Sequence, residues 1–441
     1  MRFSELDGAR IGVWGAGREI RSFAAQLHGH LPTARIAVVA SDAEIGADER
    51  AELDGYEPAY VGAEGAVEAL RDCDVVVRSP GVSTHRAELV QLREAGVPVT
   101  TATSLWLAER GGGGVVGVTG TKGKSTTAAL IVHLLRAAGR TAHVAGNIGA
   151  PALDLLEVPA DDLVVVELSS YQIADLALGP ELVVATNVYP EHVDWHGSHD
   201  AYYADKLRLL SLHGVRATVL NARDPRSMAA EAVAPTLYGS PDGWDVSPAG
   251  VSHAGELAIP AGELPLRGEH NALNLCAALT AIEVLGVERP ALPDALRDFA
   301  ALPHRLQPIA DRDGVLWVDD SISTTPESTL AALASFPDRH VVLIAGGQDR
   351  GQEHRELAAA LATRNAALVG LPDTGSTLAV ATREAGAEVE EVADMEAAVT
   401  AASRLARPGS VVLLSPAAPS YNAYSSFEDR GAHFTALARS T

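Results

Sequence analysis

Cysteine is almost missing: the 441 residues hold only Cys73 and Cys276. Two thiols far apart in sequence exclude a disulfide scaffold and a cysteine-rich metal site, and they fit a reducing compartment. Aromatic side chains are also scarce, at 5%, while aliphatic residues are plentiful. That balance belongs to α/β proteins, whose buried parallel strands read as runs of Val, Ile and Leu. Positive charge is outweighed, with 34 Lys and Arg against 57 Asp and Glu and a formal charge of -23. Such a surface repels nucleic acid and anionic membranes, so a phosphate ligand must be met by a local cluster of cations. No run approaches ~18 uninterrupted apolar residues, and the opening MRFSELDGAR lacks an apolar core of signal-peptide length. A soluble cytoplasmic chain with no membrane insertion is expected. The length predicts about three domains of ~150 residues each.

What is present is organised around Gly117 to Thr127, GVTGTKGKSTT. The apolar Val115, Val116 and Val118 lead into Gly120, Thr121, Lys122, Gly123, Lys124, Ser125 and Thr126, after which Ala128, Leu130, Ile131, Leu134 and Leu135 recur at helical spacing. The pattern is strand, glycine loop, helix. In a phosphate loop the glycines let backbone N–H groups approach an anion and the helix N-terminus adds its dipole. The lysine reaches the terminal phosphates, and the hydroxyl after it ligates Mg²⁺. Val118 stands where the common G-x-x-x-x-G-K-[ST] pattern has its first glycine. The plain alternative is an ordinary strand-to-helix turn, but the GKST ending and its context favour ATP.

Around this loop the chain alternates. Strands are predicted at Arg10 to Trp14, Ile36 to Ala40 and Asp74 to Val77, a small Rossmann-like unit. Ile20 replaces the third glycine of a dinucleotide fingerprint, so a nicotinamide cofactor is not expected; the helix starting near Arg18 remains a candidate seat for a diphosphate. Gly111 to Gly114 read as a hinge-like connection and place a boundary near residue 107. The central unit continues with a helix over 125–138 and strands near Ala142 to Ala145, Leu163 to Val166 and Leu182 to Ala185. Glu167 and His192 fall just beyond the carboxyl ends of two of these strands, where ligands gather in open parallel sheets, and their side chains suit a divalent metal. Lys206, read alone, is an ordinary helix lysine. Residues 221–266 predict hairpins with no readable function. Asn271 and Asn274, one helical turn apart, can face a flat heteroaromatic ring or cap a helix. The last third alternates again, and its strand ends carry Asp319, Asp320, Ser321, Ser323, Thr324, Gln348, Arg350, Ser415, Ser420 and Phe427. The predicted fold is α/β in three domains: Rossmann-like over 1–107, a phosphate-loop ATPase-like, mostly parallel sheet over 108–302, and Rossmann-like over 303–441.

GTKGKSTT, ELSSYQ, TNVYPEHVDWH, the helix with Lys206, GEHNALN, PHR and SPAAPSYNAYSSFEDRG resemble the Mur ligases, in order over nearly the whole chain. Among them the chain is most similar to the MurD type, which joins glutamate to UDP-N-acetylmuramoyl-L-alanine in peptidoglycan synthesis. The resemblance implies an ATP-dependent, ADP-forming amide ligase working through an acyl phosphate. It assigns Lys124 and the loop amides to the transferred phosphate. Ser125 or Thr126, Glu167, His192 and a carbamylated Lys206 would hold Mg²⁺, with Mn²⁺ as the alternative. Asn271 and Asn274 would meet adenine, and Arg305 and Asp320 would contact ATP across a domain interface. Arg18, Glu19, Ser41 and Ser79 would hold the UDP portion, and Asn147 and Ser169 would lie on the substrate side. Thr324, Arg350, Ser420 and Phe427 would hold the amino acid. Ligand groups spread over three units imply domain closure. Two departures point to L-glutamate: Ile322 and Arg350 stand where members adding D-glutamate carry lysines, and isoleucine cannot pair with a carboxylate. That branch works beside a separate epimerase. The alternatives are D-glutamate addition, a folylpolyglutamate synthetase-like ligase, and a nucleotide-binding sensor that has lost catalysis.

Overall fold

The computed structural model describes residues 1–42, 45–191, 193–266, 268–299, 303–349, 353–364 and 366–440. Packing divides the chain into two units, Met1–Pro265 with Glu269–Phe299, and Leu266–Gly268 with Ala300–Thr441. Among the described residues no helix is long and apolar enough to cross a membrane.

The first unit holds two parallel sheets. β1 (Arg10–Trp14), β2 (Arg35–Ser41), β3 (Ala59–Gly62), β4 (Val75–Arg78) and β5 (Val99–Thr100) form one, in the order β3-β2-β1-β4-β5. The second comprises β6 (Val115–Thr119), β7 (Ala142–Gly146), β8 (Leu163–Glu167), β9 (Leu182–Ala185), β10 (Ala217–Asn221) and β11 (Pro235–Tyr238), ordered β11-β10-β9-β6-β8-β7. β6 is buried throughout, as a strand covered on both faces must be. The chain after β6 goes to one side of it before returning to the other. The loop following β6 therefore opens at a switch point of the sheet, where such folds bind ligands.

Helix Lys124–Ala137 follows that loop and packs on helix Glu269–Val284, with Leu130, Ile131 and Leu134 sharing a core with Leu275, Leu279 and Ile282. β12 (Trp244–Ser247), β13 (Gly250–His253) and β14 (Glu256–Pro260) make the hairpins expected before it, an antiparallel sheet anchored by the buried Trp244.

The predicted hinge is a pinned turn. Helix Ala102–Arg110 runs through residue 107 and ends at Gly111, and Gly111, Gly112 and Gly114 all take positive φ. Arg110 Nη2 donates to the Asp162 carbonyl at 2.5 Å, and the Gly114 N–H donates to Glu181 at 2.9 Å. The glycines supply left-handed backbone and close packing rather than freedom.

Arg78, the last residue of β4, joins the two sheets of this unit. Its guanidinium is fully buried and meets Asp175 in a two-pronged pair, Nε to Oδ2 at 2.8 Å and Nη2 to Oδ1 at 2.7 Å. It also donates to the carbonyls of Tyr171 and Val82. Breaking such a pair leaves the Asp175 carboxylate to Arg93, at 3.7 Å, and strands several carbonyls. Arg78→Met is expected to destabilise the protein by about 3–5 kcal/mol, read from denaturant unfolding.

The second unit carries one mixed sheet, from β15 (Gln307–Arg312), β16 (Val315–Asp319), β17 (Val341–Gly347), β18 (Ala367–Asp373), β19 (Glu388–Glu391) and β20 (Val411–Leu414). The order is β15-β16-β20-β17-β18-β19, with only the β15/β16 pair antiparallel. Sequence periodicity did not announce β15, β19 or helix Thr374–Glu384. β19 reads EVEE, three of its four residues acidic, as an edge strand tolerates.

Candidate active site

The loop after β6 is shaped by two glycines with different neighbours. Gly120 has φ 139, and a Cβ there would overlap Thr186 Oγ1; Gly123 has φ 85, and a Cβ would overlap Asn274 Oδ1. Only glycine fits either place. The loop is then clamped by the segment after β9. The Thr121 N–H donates to the Asn187 carbonyl at 2.6 Å, Asn187 Nδ2 donates to the Lys122 carbonyl at 3.0 Å, and Asn187 Oδ1 accepts from the Lys122 N–H at 2.9 Å. Thr186 Oγ1 adds a bond to the Lys122 carbonyl at 2.6 Å. Thr186 and Asn187 were not singled out from sequence, although they open the TNVYPEH segment.

Three lysines gather here, the local cation cluster that a chain of charge -23 requires for a phosphate ligand. Lys122 pairs with Glu191 at 2.6 Å. Lys124 Nζ donates to the Thr121 carbonyl at 3.0 Å. Lys206 is 2% exposed and donates from Nζ to the Gly120 carbonyl at 2.9 Å. Burial first, and then the Lys124 charge, pushes its ammonium well below the ordinary lysine range. Tertiary structure thus turns an ordinary-looking helix lysine into a buried amine on the glycine loop.

Glu167 closes β8 one register step from the loop, opposite Val118. It is 1% exposed. Asn147 Nδ2 donates to its Oε1 at 3.0 Å, while Oε2 is buried with no hydrogen-bond partner among the described residues. A buried carboxylate oxygen left unpaired costs free energy unless a cation or proton meets it, which fits a divalent metal. Ser125 and Thr126, the predicted hydroxyl ligands, are buried at the helix start. Asn271 and Asn274 lie beside the loop, with Asn274 Nδ2 donating to Asn271 Oδ1 at 3.3 Å. His192 lies outside the described residues.

The side chains expected to hold the UDP portion are engaged within this unit. Arg18 donates to the carbonyls of Gly146 at 2.6 Å and Gly149 at 3.1 Å. Glu19 accepts from Gln172 at 2.6 Å and Thr103 at 3.0 Å; burial raises its carboxyl against the pull of those bonds. Ser79 backs the β1 turn, where a Cβ on Gly15 would crowd it at 2.8 Å, and Ser41 ends β2. Ser169 caps helix Ser170–Ile173 in a reciprocal box with Gln172.

In the second unit the predicted residues cluster at the carboxyl ends of the strands. Asp320 accepts from the Leu306 N–H at 3.0 Å and from Ser415 Oγ at 2.7 Å, and burial holds its carboxyl up at about 6. The Arg305 charge pulls against that rise. Thr324 lies in the turn before helix Pro326–Ala334, Ser420 is buried, and the Phe427 carbonyl accepts from Ser321 Oγ at 2.8 Å. Sequence reading passed over Arg430, although it belongs to the closing FEDRG. Its buried guanidinium reaches Ser321 Oγ at 3.0 Å, the Ser321 carbonyl at 2.9 Å and the Ala418 carbonyl at 3.1 Å, knitting these loops together. Arg350 lies outside the described residues.

Residues 118–282 match the Mur ligase middle domain, and residues 304–418 match the Mur ligase glutamate ligase domain. A UDP-N-acetylmuramoyl-L-alanine--L-glutamate ligase of a Micromonospora species is 43% identical, over 100% of this chain and 99% of its own length. The chain belongs to the Mur ligase family. As a Mur ligase it also shares its fold with solved relatives. The UDP-N-acetylmuramate-alanine ligase of Thermotoga maritima superposes with TM-score 0.60 at 20% identity, covering 98% of this chain and 99% of that one. The MurF ligase of the same organism, solved with ADP, gives 0.58 at 16% identity over 100% and 96%. The ligase's glycine loop, Glu167 and Lys206 all fall within the matched middle domain.

Proposed function

We propose that this ligase uses ATP to join L-glutamate to UDP-N-acetylmuramoyl-L-alanine in peptidoglycan synthesis, in the cytoplasm and upstream of an epimerase acting on the product. The observation that carries the proposal is the convergence of Lys124, Lys206 and Glu167 on one glycine loop, in a chain 43% identical along its length to a relative of that name. A carboxylate is a poor electrophile until one oxygen becomes a phosphate leaving group. The alanyl carboxylate oxygen attacks the γ-phosphorus of ATP, releasing ADP and forming an acyl phosphate. The glutamate amine then adds to the acyl carbon, loses a proton, and phosphate departs as the amide forms.

Lys124 and the loop N–H groups hold the transferring phosphoryl oxygens where charge accumulates. Ser125, Glu167 through its unpaired oxygen, His192 and a carbamylated Lys206 would hold Mg²⁺ or Mn²⁺. Such an ion supplies charge neutralisation to the phosphates. Burial favours the unprotonated Lys206 amine, the form that can add CO₂. Asn271 and Asn274 flank the nucleotide, and Asn147 orients Glu167 on the substrate side. In the second unit, Thr324, Arg350, Ser420 and Phe427 hold the amino acid, and Arg305 and Asp320 contribute to ATP. Arg18, Glu19, Ser41, Ser79 and Ser169 frame the UDP-sugar side.

Ile322, in the turn after β16, gives the side-chain carboxylate no cation there. The two enantiomers exchange the directions of α-carboxylate and side chain, so altered anchoring supports the L form. Amide formation from UDP-N-acetylmuramoyl-L-alanine with each pure enantiomer tests this. L-glutamate is expected to be preferred by ~10²-fold or more in kcat/KM, the range reached when a misplaced carboxylate leaves polar groups unpaired. Preference for D would overturn it.

A further inference from the structure

Apart from the Glu167 carboxylate, a group of side chains able to ligate a metal lies in the first unit. His85 follows β4 of the first sheet. His196 and Asp205 come from segments that follow β9 of the second. Asp205 Oδ2 sits 3.1 Å from His85 Nε2 and 2.7 Å from His196 Nδ1, and the three ligand atoms lie within 4.8 Å of one another. We infer that His85, His196 and Asp205 form a binding site for a borderline transition-metal ion of the Zn²⁺ type, bridging the two sheets of this unit.

The donor set selects the ion. Two imidazoles and one carboxylate suit Zn²⁺, Co²⁺ or Ni²⁺ far better than Mg²⁺, which prefers oxygen and its own waters. Ligand atoms about 2.0–2.1 Å from a tetrahedral ion are roughly 3.3 Å apart, so the observed 2.7 and 3.1 Å must widen, by roughly 0.6 Å at most, while the two imidazole nitrogens, within 4.8 Å, settle toward the same spacing. In this state protons bridge those contacts; the ion would take their place. The outer contacts also match a metal site. His196 is buried, and its far nitrogen Nε2 lies 3.0 Å from Ser170 Oγ, the kind of second partner that orients a ligating imidazole. Trp195 walls one side, stacked on Tyr171 with centroids 4.6 Å apart and edge-on to His85 at 5.9 Å, and limits water there. His85 is the exposed member, so an ion can reach the group from solvent and keep a water as fourth ligand.

Asp205 neighbours Lys206 in helix His199–Leu207, but Lys206 turns to the Gly120 carbonyl while Asp205 turns to the histidines. The site is therefore separable from the phosphate loop by mutation. Equilibrium dialysis of the full chain against Zn²⁺ in saturating Mg²⁺ tests it. The wild type and Glu167→Gln are each expected to bind one Zn²⁺ that His85→Ala does not. Replacing Zn²⁺ by Co²⁺ should give intense tetrahedral d–d absorption, lost in His85→Ala. His85 is exposed, so this variant should fold, and the same far-ultraviolet circular dichroism as wild type checks it. Equal Zn²⁺ stoichiometry in wild type and His85→Ala, or loss in Glu167→Gln with retention in His85→Ala, would overturn the assignment.

Discussion

Lys206→Met is expected to lower ligase turnover by ~10²-fold or more while leaving thermal stability unchanged or raised. The two halves of that outcome have one cause. The Lys206 amine is buried against the Gly120 carbonyl, with Lys124 nearby, a poor place for a cation. Methionine keeps the stem's volume and removes the cost of desolvating an amine, so folding loses only one hydrogen bond. Catalysis loses the group proposed to become a metal-ligating carbamate. Turnover with purified substrates and a thermal melt of the same preparation decide the matter. As a companion measurement, enzyme incubated free of CO₂ at mildly acid pH should lose activity and regain it with bicarbonate. Full activity in Lys206→Met would remove Lys206 from the mechanism. A large loss of stability would mean the lysine serves the fold instead.

Lys124→Ala should reduce ADP formation by at least ~10²-fold, with folding intact, because a phosphoryl group in flight concentrates negative charge where this ammonium would lie. The neighbouring Lys122 cannot substitute, since Glu191 already claims its charge at 2.6 Å. Its alanine variant should therefore cost much less. ADP release by the wild type should require both the UDP-sugar and glutamate, which separates a ligase from a nucleotide-binding sensor. ADP formation by Lys124→Ala at the wild-type rate would remove the phosphate role.

Much of the fold was legible in the sequence because parallel strands buried on both faces have to be continuous aliphatic runs. β1, β6, β8, β9, β17 and β20 sit on the predicted runs to within one or two residues. β15 (QPIADR) and β19 (EVEE) escaped because edge strands carry polar residues, and β3 (AYVG) because four residues are too few for a periodic signal. The glycine loop was legible for a different reason. Its shape depends on glycine conformations that are local in sequence, and Gly120 and Gly123 both take positive φ.

The sequence by itself determined the α/β class, the strand–glycine loop–helix turn at 115–137 and the position of Glu167 at a strand's carboxyl end, since each rests on neighbours within a few residues. Tertiary structure alone decided what distant partners do to a side chain. It made Lys206 a buried amine on the Gly120 carbonyl, left one oxygen of Glu167 unpaired, and set Arg78 on Asp175 across 97 residues. It also brought His85 to His196 and Asp205. Burial and electrostatic environment are sums over segments far apart in the chain, so no local pattern of residues encodes them.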